Sequence, residues 1–476
     1  MDNLCINDEP QTTSGVALEN TAAAPLTQLR QQSERNLDND ILLERQQQRE
    51  SNARSYPRRL PLALVRGHGI YVEDSRGQLY IDALAAAGTL ALGHHHPDIQ
   101  EAIGHTLNCG VPMQTLDLTT PVKDAFIDRL FSLLPTGLQS NSRVQFCSPC
   151  GADAVEAAIK LAKTATGRQN VIAFAGAYHG MTQGTLSLMG NLGPKRHLGT
   201  TVPGVQFLPY PHARRCPYGL GAAGVQASLN QLDSMLTDPE SGVLPPAAVI
   251  VEAVQGEAGA LPADVEWLRG LRRLTRQHGI ALILDEVQAG MGRTGQVFAF
   301  QHAGIEPDMI VLSKAIGGGL PLALLVYHQD WDTWQPGAHA GTFRGNQLAM
   351  ATGQVVMNWL YDKQLHLHAG QMGERLLARL RQIQSPIIGE VRGRGLMVGV
   401  EIVDPQQPQD ALGNYPLDGQ RARQVQRQAL TLGLITEVGG RHGSTVRLLP
   451  PLIIHETEVD VMADILSEAI MRAENQ

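Results

Sequence analysis

Short apolar runs alternate with longer amphipathic stretches along the middle of the chain. The runs have little polar alternation, which is typical of strands that are covered on both faces by helices. They are Val171–Phe174, Ala248–Val251, Ile280–Leu284, Met309–Leu312 and Leu322–Val326. Apolar residues at helical spacing predict helices over residues 152–166 and 267–278. The pattern therefore predicts an α/β fold with a mostly parallel sheet between helices.

The two ends of the chain follow other patterns. Alternating residues on both sides of the turn Asp74–Gly77 predict a hairpin over residues 70–82. Beyond residue 346, longer helical stretches precede strands near Met397–Ile402 and Thr445–Leu449. This change predicts a smaller α+β domain after the large one.

We expect four parts in this chain. The polar composition of residues 1–55 predicts a mobile N-terminal tail. The other three are a segment over residues 56–120 that contributes to the small domain, a large domain over 121–345 and a C-terminal small domain over 346–476.

Composition and charge exclude several classes of protein. The 476 residues include 38 Lys and Arg against 46 Asp and Glu, a net charge of −8. A nucleic-acid-binding protein normally has a basic surface, and an anionic membrane would repel this charge. No apolar run reaches the length of a membrane-spanning helix. The acidic, polar start of the chain and its five cysteines predict neither a secretion signal nor a disulfide scaffold. We expect a reduced, cytoplasmic protein.

Two formal motifs do not predict the chemistry that their patterns usually indicate. Gly219–Gly224 matches the G-x-G-x-x-G pattern of dinucleotide sites, so an NAD-dependent oxidoreductase is an alternative function. Such a site needs a strand before the glycines, but here a loop containing Pro217 precedes them. Cys147 and Cys150 have C-x-x-C spacing without a second such pair, which favours packing or an anion contact over metal binding.

Three junctions between apolar runs and loops carry candidate chemistry. A tight turn at Cys150–Gly151 precedes an amphipathic helix, whose free N–H groups can bind an anion. Asp285 follows one apolar run directly, and Lys314 follows the next, before three glycines. A lysine without hydration has a lowered pKa and a nucleophilic amine. Lys314 and Asp285 together suit pyridoxal phosphate, which needs an amine for its aldehyde and a carboxylate for its ring nitrogen.

Four ordered motifs now make a family resemblance clear over residues 60–470. They are Leu92–Pro97, Cys150–Glu156, Leu284–Gly295 and Leu312–Pro321. The chain resembles the class III (ω-amino acid) aminotransferases, which use pyridoxal phosphate and have the fold-type I architecture. The His94–His96 triplet lies within the first motif, which is an ordinary stretch of this family. We therefore expect no metal site there.

The resemblance implies a role for each matching residue. Lys314 resembles the lysine that bonds the cofactor and moves the proton, and Asp285 the partner of the pyridinium nitrogen. The resemblance implies a homodimer with active sites at the subunit interface, to which residues 56–120 contribute. The remaining implied contacts are Cys150, Gly151 and Ala152 around the phosphate, Thr342 on the second subunit's phosphate, Val287 and Tyr178 on the ring faces, and Gln288 on the ring hydroxyl. Glu257 and Arg447 match the family's substrate-binding glutamate–arginine pair.

Within the family, three further segments look like the diaminobutyrate–2-oxoglutarate aminotransferases. They are Tyr56–Pro61, Gly88–His94 and Thr342–Asn346. The resemblance implies reversible transfer of the terminal amine of L-2,4-diaminobutyrate to 2-oxoglutarate, which gives L-aspartate 4-semialdehyde and L-glutamate. The alternatives are an ω-aminotransferase for ornithine, 4-aminobutyrate or another diamine, and a scaffold that has kept the fold without catalysis; Lys314 and Asp285 argue against the scaffold.

Overall fold

The computed structural model describes residues 23–38, 40–199 and 201–475. Residues 1–22 of the predicted tail, with Cys5, lie outside the described residues. The helices are α1 Ala23–Gln31, α2 Ile41–Arg49, α3 Ala85–Gly88, α4 Pro97–Asn108, α5 Pro121–Leu133, α6 Thr136–Gln139, α7 Gly151–Thr166, α8 Gln183–Leu188, α9 Gly224–Thr237, α10 Val265–Gln277, α11 Gln347–Asp362, α12 Leu365–Arg381, α13 Gly419–Thr431 and α14 Glu456–Glu474.

The strands belong to three larger sheets and a two-stranded ribbon. They are β1 Leu64–His68, β2 Tyr71–Asp74, β3 Leu79–Asp82, β4 Ser142–Phe146, β5 Asn170–Phe174, β6 Val205–Leu208, β7 Pro246–Val251, β8 Val254–Gln255, β9 Leu261–Pro262, β10 Ala281–Asp285, β11 Met309–Leu312, β12 Leu324–His328, β13 Ile388–Arg394, β14 Met397–Ile402, β15 Leu434–Ile435, β16 Glu437–Gly439 and β17 Thr445–Leu448.

The central sheet has seven strands in the order β4-β12-β11-β10-β7-β5-β6. All neighbouring pairs from β11 to β6 are parallel, and only β12 runs against its neighbours β11 and β4. β7, β10 and β11 are buried along their whole length, as their uninterrupted apolar runs predict. The predicted α/β fold with a mostly parallel sheet is therefore confirmed.

Two smaller sheets flank this central layer. Strands β13, β14, β17 and β16 form an antiparallel sheet near the end of the chain. The predicted hairpin is the antiparallel pair β2–β3, and β15 adds to it in parallel from the C-terminal part of the chain. Segments far apart in sequence thus share one sheet, which fixes the N-terminal part against the C-terminal part.

Arg35 attaches the start of the described chain to this small sheet. The side chain is 6% exposed and donates hydrogen bonds to the carbonyl oxygens of Leu79 and Leu432, at 3.0 and 3.2 Å. Burying a guanidinium is costly unless its N–H groups find acceptors, and here backbone carbonyls supply them.

None of the helices described here combines the length and the apolar character that crossing a bilayer would need.

Helix α11 supports the turn that begins with Lys314. Thr352 donates a hydrogen bond of 2.8 Å to the carbonyl oxygen of Gly317, at the end of that turn. One residue along, Gly353 lies so close to the turn that a side-chain carbon there would overlap the carbonyl oxygen of Ile316 and lie 2.9 Å from Phe126. Only glycine permits this approach.

We therefore expect Gly353→Ala to lower the free energy of unfolding by about 1–3 kcal/mol, because the added methyl group pushes the helix from the turn. The matched control is Gly104→Ala on α4, where nothing lies within 4 Å of the new carbon. That variant should gain up to about 1 kcal/mol from helix propensity. Urea unfolding followed by circular dichroism measures both, and equal effects would contradict the packing argument.

Candidate active site

The carboxyl edge of the central sheet brings the two predicted chemical groups together. Asp285 is the last residue of β10 and pairs in register with Val311 of β11. Lys314 lies three residues beyond Val311 and begins a short 3-10 turn. Because the two strands are parallel, their ends open into the same crevice, where ligands bind in proteins of this architecture.

Asp285 is held in place by a buried histidine. Its Oδ2 lies 2.7 Å from Nδ1 of His179, and its Oδ1 accepts a hydrogen bond of 3.1 Å from the Val287 N–H. Burial would lower the pKa of His179, but the hydrogen bond and the charge of Asp285 outweigh it and the pKa is raised. A carboxylate fixed in this way can bind a cationic ring nitrogen.

The adjacent Glu286 has other hydrogen-bond partners than Asp285. Its carboxylate accepts hydrogen bonds from the N–H groups of Ala299 and Phe300, at 2.8 and 3.0 Å. Burial raises the pKa of Glu286 to about 8. Asp285 therefore contacts His179, whereas Glu286 stabilises the turn at residues 299–303.

Lys314 has the properties of a nucleophilic amine. Burial lowers the pKa of Lys314, although Glu257 and Asp285 act in the opposite direction. Within the described part of the chain, its amine forms neither a hydrogen bond nor an ion pair. A lowered pKa increases the neutral fraction, which is the form that attacks a carbonyl carbon.

The start of α7 provides an anion site at the same edge. β4, which leads to it, runs parallel to β11 because both are antiparallel to β12. Cys150 occupies the N-cap position, and its side chain makes no capping hydrogen bond. The first N–H groups of α7 therefore remain available to a ligand anion, and the helix dipole favours it.

Val287 lies against this helix start. A side-chain carbon at Gly151 would be 3.1 Å from a γ-methyl of Val287, so the glycine permits the close packing. Tyr178 is 39% exposed. Gln288 donates a hydrogen bond of 3.2 Å to the carbonyl oxygen of Ala87, while its own Oε1 is buried without a hydrogen-bond partner. This oxygen can accept a hydrogen bond from a ligand.

Glu257 and Arg447 form an ion pair. Arg447 Nη2 lies 2.8 Å from Glu257 Oε1, and Nη1 donates to the carbonyl oxygen of Gly256 at 3.0 Å. Partial burial would raise the pKa of Glu257, but Arg447 outweighs it and the pKa is lowered. Arg447 is 2% exposed, whereas the Glu257 side chain is 44% exposed. The buried arginine thus has a partner that has room to move.

Thr342 lies on a loop that passes the start of α7. It is exposed, and its hydroxyl makes no hydrogen bond to the described residues. Its neighbour Gly341 passes close to the turn before α7, where a side-chain carbon would be 2.5 Å from Ser148 Oγ. His339, on the same loop, lies 3.0 Å from Asp153 in the first turn of α7. The loop is thereby anchored beside the anion site.

Comparison with known proteins decides the family. The family model described as "Aminotransferase class-III" matches residues 52–470. The chain belongs to the class III aminotransferases. The resemblance found from the four sequence motifs is therefore confirmed.

This aminotransferase has relatives of high similarity over most of its length. It is 56% identical over 438 residues to the diaminobutyrate–2-oxoglutarate aminotransferase of Rhizobium meliloti (strain 1021). The alignment covers 91% of this chain and 93% of the relative. Identity to the enzyme of that name from Haemophilus influenzae is 50%, covering 91% and 96%. A solved amine transaminase from an uncultivated Pseudomonas species, in the PLP-bound form, is 27% identical with a TM-score of 0.78 over 89% of this chain and 98% of its own.

Sequence reasoning missed the buried carboxylate of Glu252 in this aminotransferase. It accepts hydrogen bonds of 2.9 Å from the N–H groups of Tyr178 and Gly256, and so joins the two loops that carry Tyr178 and Glu257. Burial raises the pKa of Glu252 to about 7, against the lowering effect of His179. Its position directly after β7, at the same sheet edge as Asp285, is a signal that could have revealed it.

A second ion pair beside the first was also missed. Arg59 Nη1 lies 2.8 Å from Glu437, and Glu437 is the cross-strand partner of Arg447. Burial and the charges of Glu437 and Glu257 raise the pKa of Tyr56 to about 12. Tyr56 and Arg59 come from the segment that resembles the diaminobutyrate enzymes, so that resemblance already marked this region without giving its charges.

Proposed function

We propose that this aminotransferase moves the terminal amino group of L-2,4-diaminobutyrate to 2-oxoglutarate. The products are L-aspartate 4-semialdehyde and L-glutamate, and the reaction is reversible. The relatives at 56% and 50% identity have this activity in their names. The observation that carries the proposal is the Glu257–Arg447 ion pair close to Lys314 and Asp285. We place the reaction in the cytoplasm, where 2-oxoglutarate and glutamate are available.

The residues at the sheet edge fit pyridoxal phosphate, the cofactor of the reaction. Asp285 supplies the carboxylate for the ring nitrogen, and Lys314 the amine for the aldehyde. Cys150, Gly151 and Ala152 would hold the phosphate through the N–H groups of the first turn of α7. Gln288 Oε1, which is buried without a partner, would accept a hydrogen bond from the ring hydroxyl. We assign the two ring faces to Val287 and Tyr178.

Asp285 and Lys314 then perform distinct tasks. When bound, pyridoxal phosphate withdraws electrons from the carbon that bears the reacting amine. Asp285, held by His179, would keep the ring nitrogen protonated. Lys314 would hold the cofactor through its amine and, as a free amine, would carry the proton at the reacting carbon. Its lowered pKa serves both tasks, because each needs the neutral amine.

Glu257 and Arg447 allow one site to accept two unlike substrates. Glutamate has a carboxylate next to its reacting carbon, whereas diaminobutyrate reacts at its far amine and has none there. A fixed Arg447 would be left as an unpaired buried cation with diaminobutyrate, at a cost of several kcal/mol. Glu257 removes that cost by pairing with Arg447, and it moves aside when glutamate or 2-oxoglutarate brings its own carboxylate.

We also propose a homodimer with its active sites at the subunit interface. The supporting observation is that Thr342 is exposed on a loop anchored beside the start of α7, with no partner for its hydroxyl in the described chain. Thr342 would reach the phosphate in the second subunit and supply a hydroxyl that Cys150 does not.

A donor screen tests the proposed substrate. The purified protein, loaded with pyridoxal phosphate, is incubated with 2-oxoglutarate and diaminobutyrate, ornithine or 4-aminobutyrate, and glutamate is measured. We expect kcat/KM for diaminobutyrate to exceed that for each other donor by about tenfold or more, a difference of about 1.4 kcal/mol. A higher value for ornithine or 4-aminobutyrate would replace the proposed donor, and no glutamate from any amine would contradict the activity.

Substitutions at the ion pair should separate the two half-reactions. Arg447→Gln should slow the glutamate half-reaction by about two orders of magnitude, or about 2.7 kcal/mol, and affect the diaminobutyrate half much less. Glu257→Gln should have the opposite bias, because the buried arginine then lacks its partner. Single-turnover absorbance changes measure each half separately.

The control for these substitutions is Arg379→Gln, which removes an ion pair with Asp460 and Asp464 on helices α12 and α14. It should leave both half-reactions unchanged. Equal losses in both halves for both active-site variants would contradict the exchange of partners by Arg447.

Mixing inactive variants tests the shared site. Lys314→Ala and Thr342→Glu chains, unfolded and refolded together, should regain about a quarter of the wild-type activity, because half of the randomly formed dimers have one intact site. A mixture of Lys314→Ala with Asp285→Ala should regain none, since both residues serve the same site. Failure of the first mixture, with both variants shown to be dimeric, would contradict the contribution of Thr342 across the interface.

A further inference from the structure

The loop between β16 and β17 brings Arg441 to the candidate active site. The Gly440 N–H donates a hydrogen bond of 2.8 Å to the carbonyl oxygen of Glu257. A side-chain carbon at Gly439 would lie 2.7 Å from Arg447 Nε. The loop therefore lies directly against the Glu257–Arg447 pair, and Arg441 is the next residue.

The Arg441 guanidinium lies against the backbone at Gly176. A side-chain carbon at Gly176 would lie 3.0 Å from Arg441 Nη1 and 3.1 Å from Nη2. Gly176 precedes Tyr178 by two residues, and the charge of Glu257 contributes to a raised pKa of Tyr178 after the larger effect of burial. Arg441 thus lies between the loop over Glu257 and the segment that carries Tyr178.

Arg441 is a cation without a carboxylate partner in the part of the chain that the structure describes. Arg447 is paired with Glu257 and Arg59 with Glu437, whereas the Arg441 side chain makes no ion pair or hydrogen bond there. Its neighbour is the neutral Gln255, whose buried Oε1 has no hydrogen bond and would lie 2.9 Å from the same side-chain carbon at Gly176. A neutral oxygen attracts the guanidinium without cancelling its charge.

Arg441 is also accessible to a ligand. The residue is exposed, although its surroundings remove enough water to lower the pKa of the guanidinium. A partly desolvated, uncompensated arginine at the wall of a substrate site binds carboxylates well, because its planar N–H groups match both oxygens.

The substrates have a feature that such a cation can recognise. In glutamate and 2-oxoglutarate the side-chain carboxyl carbon lies three bonds from the carbon that reacts. In diaminobutyrate the reacting carbon bears the terminal amine, and its carboxyl carbon also lies three bonds away. Ornithine, which has one more methylene group, places its carboxyl carbon four bonds away. One fixed cation can therefore serve both half-reactions of this enzyme.

We propose that Arg441 binds the carboxylate that lies three bonds from the reacting carbon, in the amino donor and in the 2-oxo acid alike. This inference rests on the proposed function for the identity of the donor. It separates two jobs: Arg447 recognises the carboxylate next to the reacting carbon, which only glutamate and 2-oxoglutarate have, and Arg441 recognises the distal one, which all substrates share.

Substrates that lack the distal carboxylate provide the test. The donors are diaminobutyrate and 1,3-diaminopropane, its analogue without the carboxylate; the acceptors are 2-oxoglutarate and 2-oxobutyrate. Arg441→Gln should lower kcat/KM for diaminobutyrate and for 2-oxoglutarate by about 100-fold, the effect of losing a charge-assisted pair. The values for 1,3-diaminopropane and 2-oxobutyrate should change by less than about threefold. Arg441→Lys should recover part of the loss, since the charge returns without the planar fork.

The control variant is Arg423→Gln, an exposed arginine of α13 beside the same loop, which should change none of the four values. Equal losses with all four substrates, or no loss with the carboxylate-bearing ones, would overturn the assignment. Failure of the proposed function gives a different result, because the wild-type enzyme would then not use diaminobutyrate. The comparison of 2-oxoglutarate with 2-oxobutyrate would still test Arg441.

Discussion

The parallel pairing of β10 with β11 is the constraint on which the site depends. It places Asp285 opposite Val311 and brings Lys314 to the same edge, where the start of α7 and the buried Glu252 also lie. Because these strands are buried along their length, a shift in register would cost a large area of apolar contact. The carboxylate and the amine therefore keep their relative positions through the packing of the core, and the loops only complete the site.

Charge pairing governs the part of the site that lies above this edge. Arg447 and Arg59 each have a carboxylate partner, and Arg441 has none within the described residues. An ion pair whose acid is partly exposed can separate when a competing carboxylate binds the arginine. An unpaired cation can bind a carboxylate without first losing a partner. The two kinds of arginine thus suit two kinds of carboxylate: one that only some substrates have, and one that they all share.

The sequence predicted the centre of the fold better than its edges, for a physical reason. Fully buried strands such as β10 and β11 have uninterrupted apolar runs, so their ends, and with them Asp285 and Lys314, could be located from the pattern. β13 is mostly half-buried and carries charged residues, which leaves little apolar signal. The contact between Arg441 and the wall at Gly176 joins residues far apart in the chain, and no local pattern encodes it. Motif resemblance paired Glu257 with Arg447 but said nothing of Glu252, whose hydrogen bonds to backbone N–H groups appear only in three dimensions.

The most direct test of this site is to find which amine bonds the cofactor. The enzyme loaded with pyridoxal phosphate is reduced with borohydride, digested and analysed by mass spectrometry. We predict a pyridoxyl group on Lys314 alone, because this amine combines a lowered pKa with a position at the sheet edge beside Asp285. Stoichiometric labelling of another lysine, with Lys314 unmodified, would contradict it; the candidates are Lys123, Lys160, Lys163, Lys195 and Lys363.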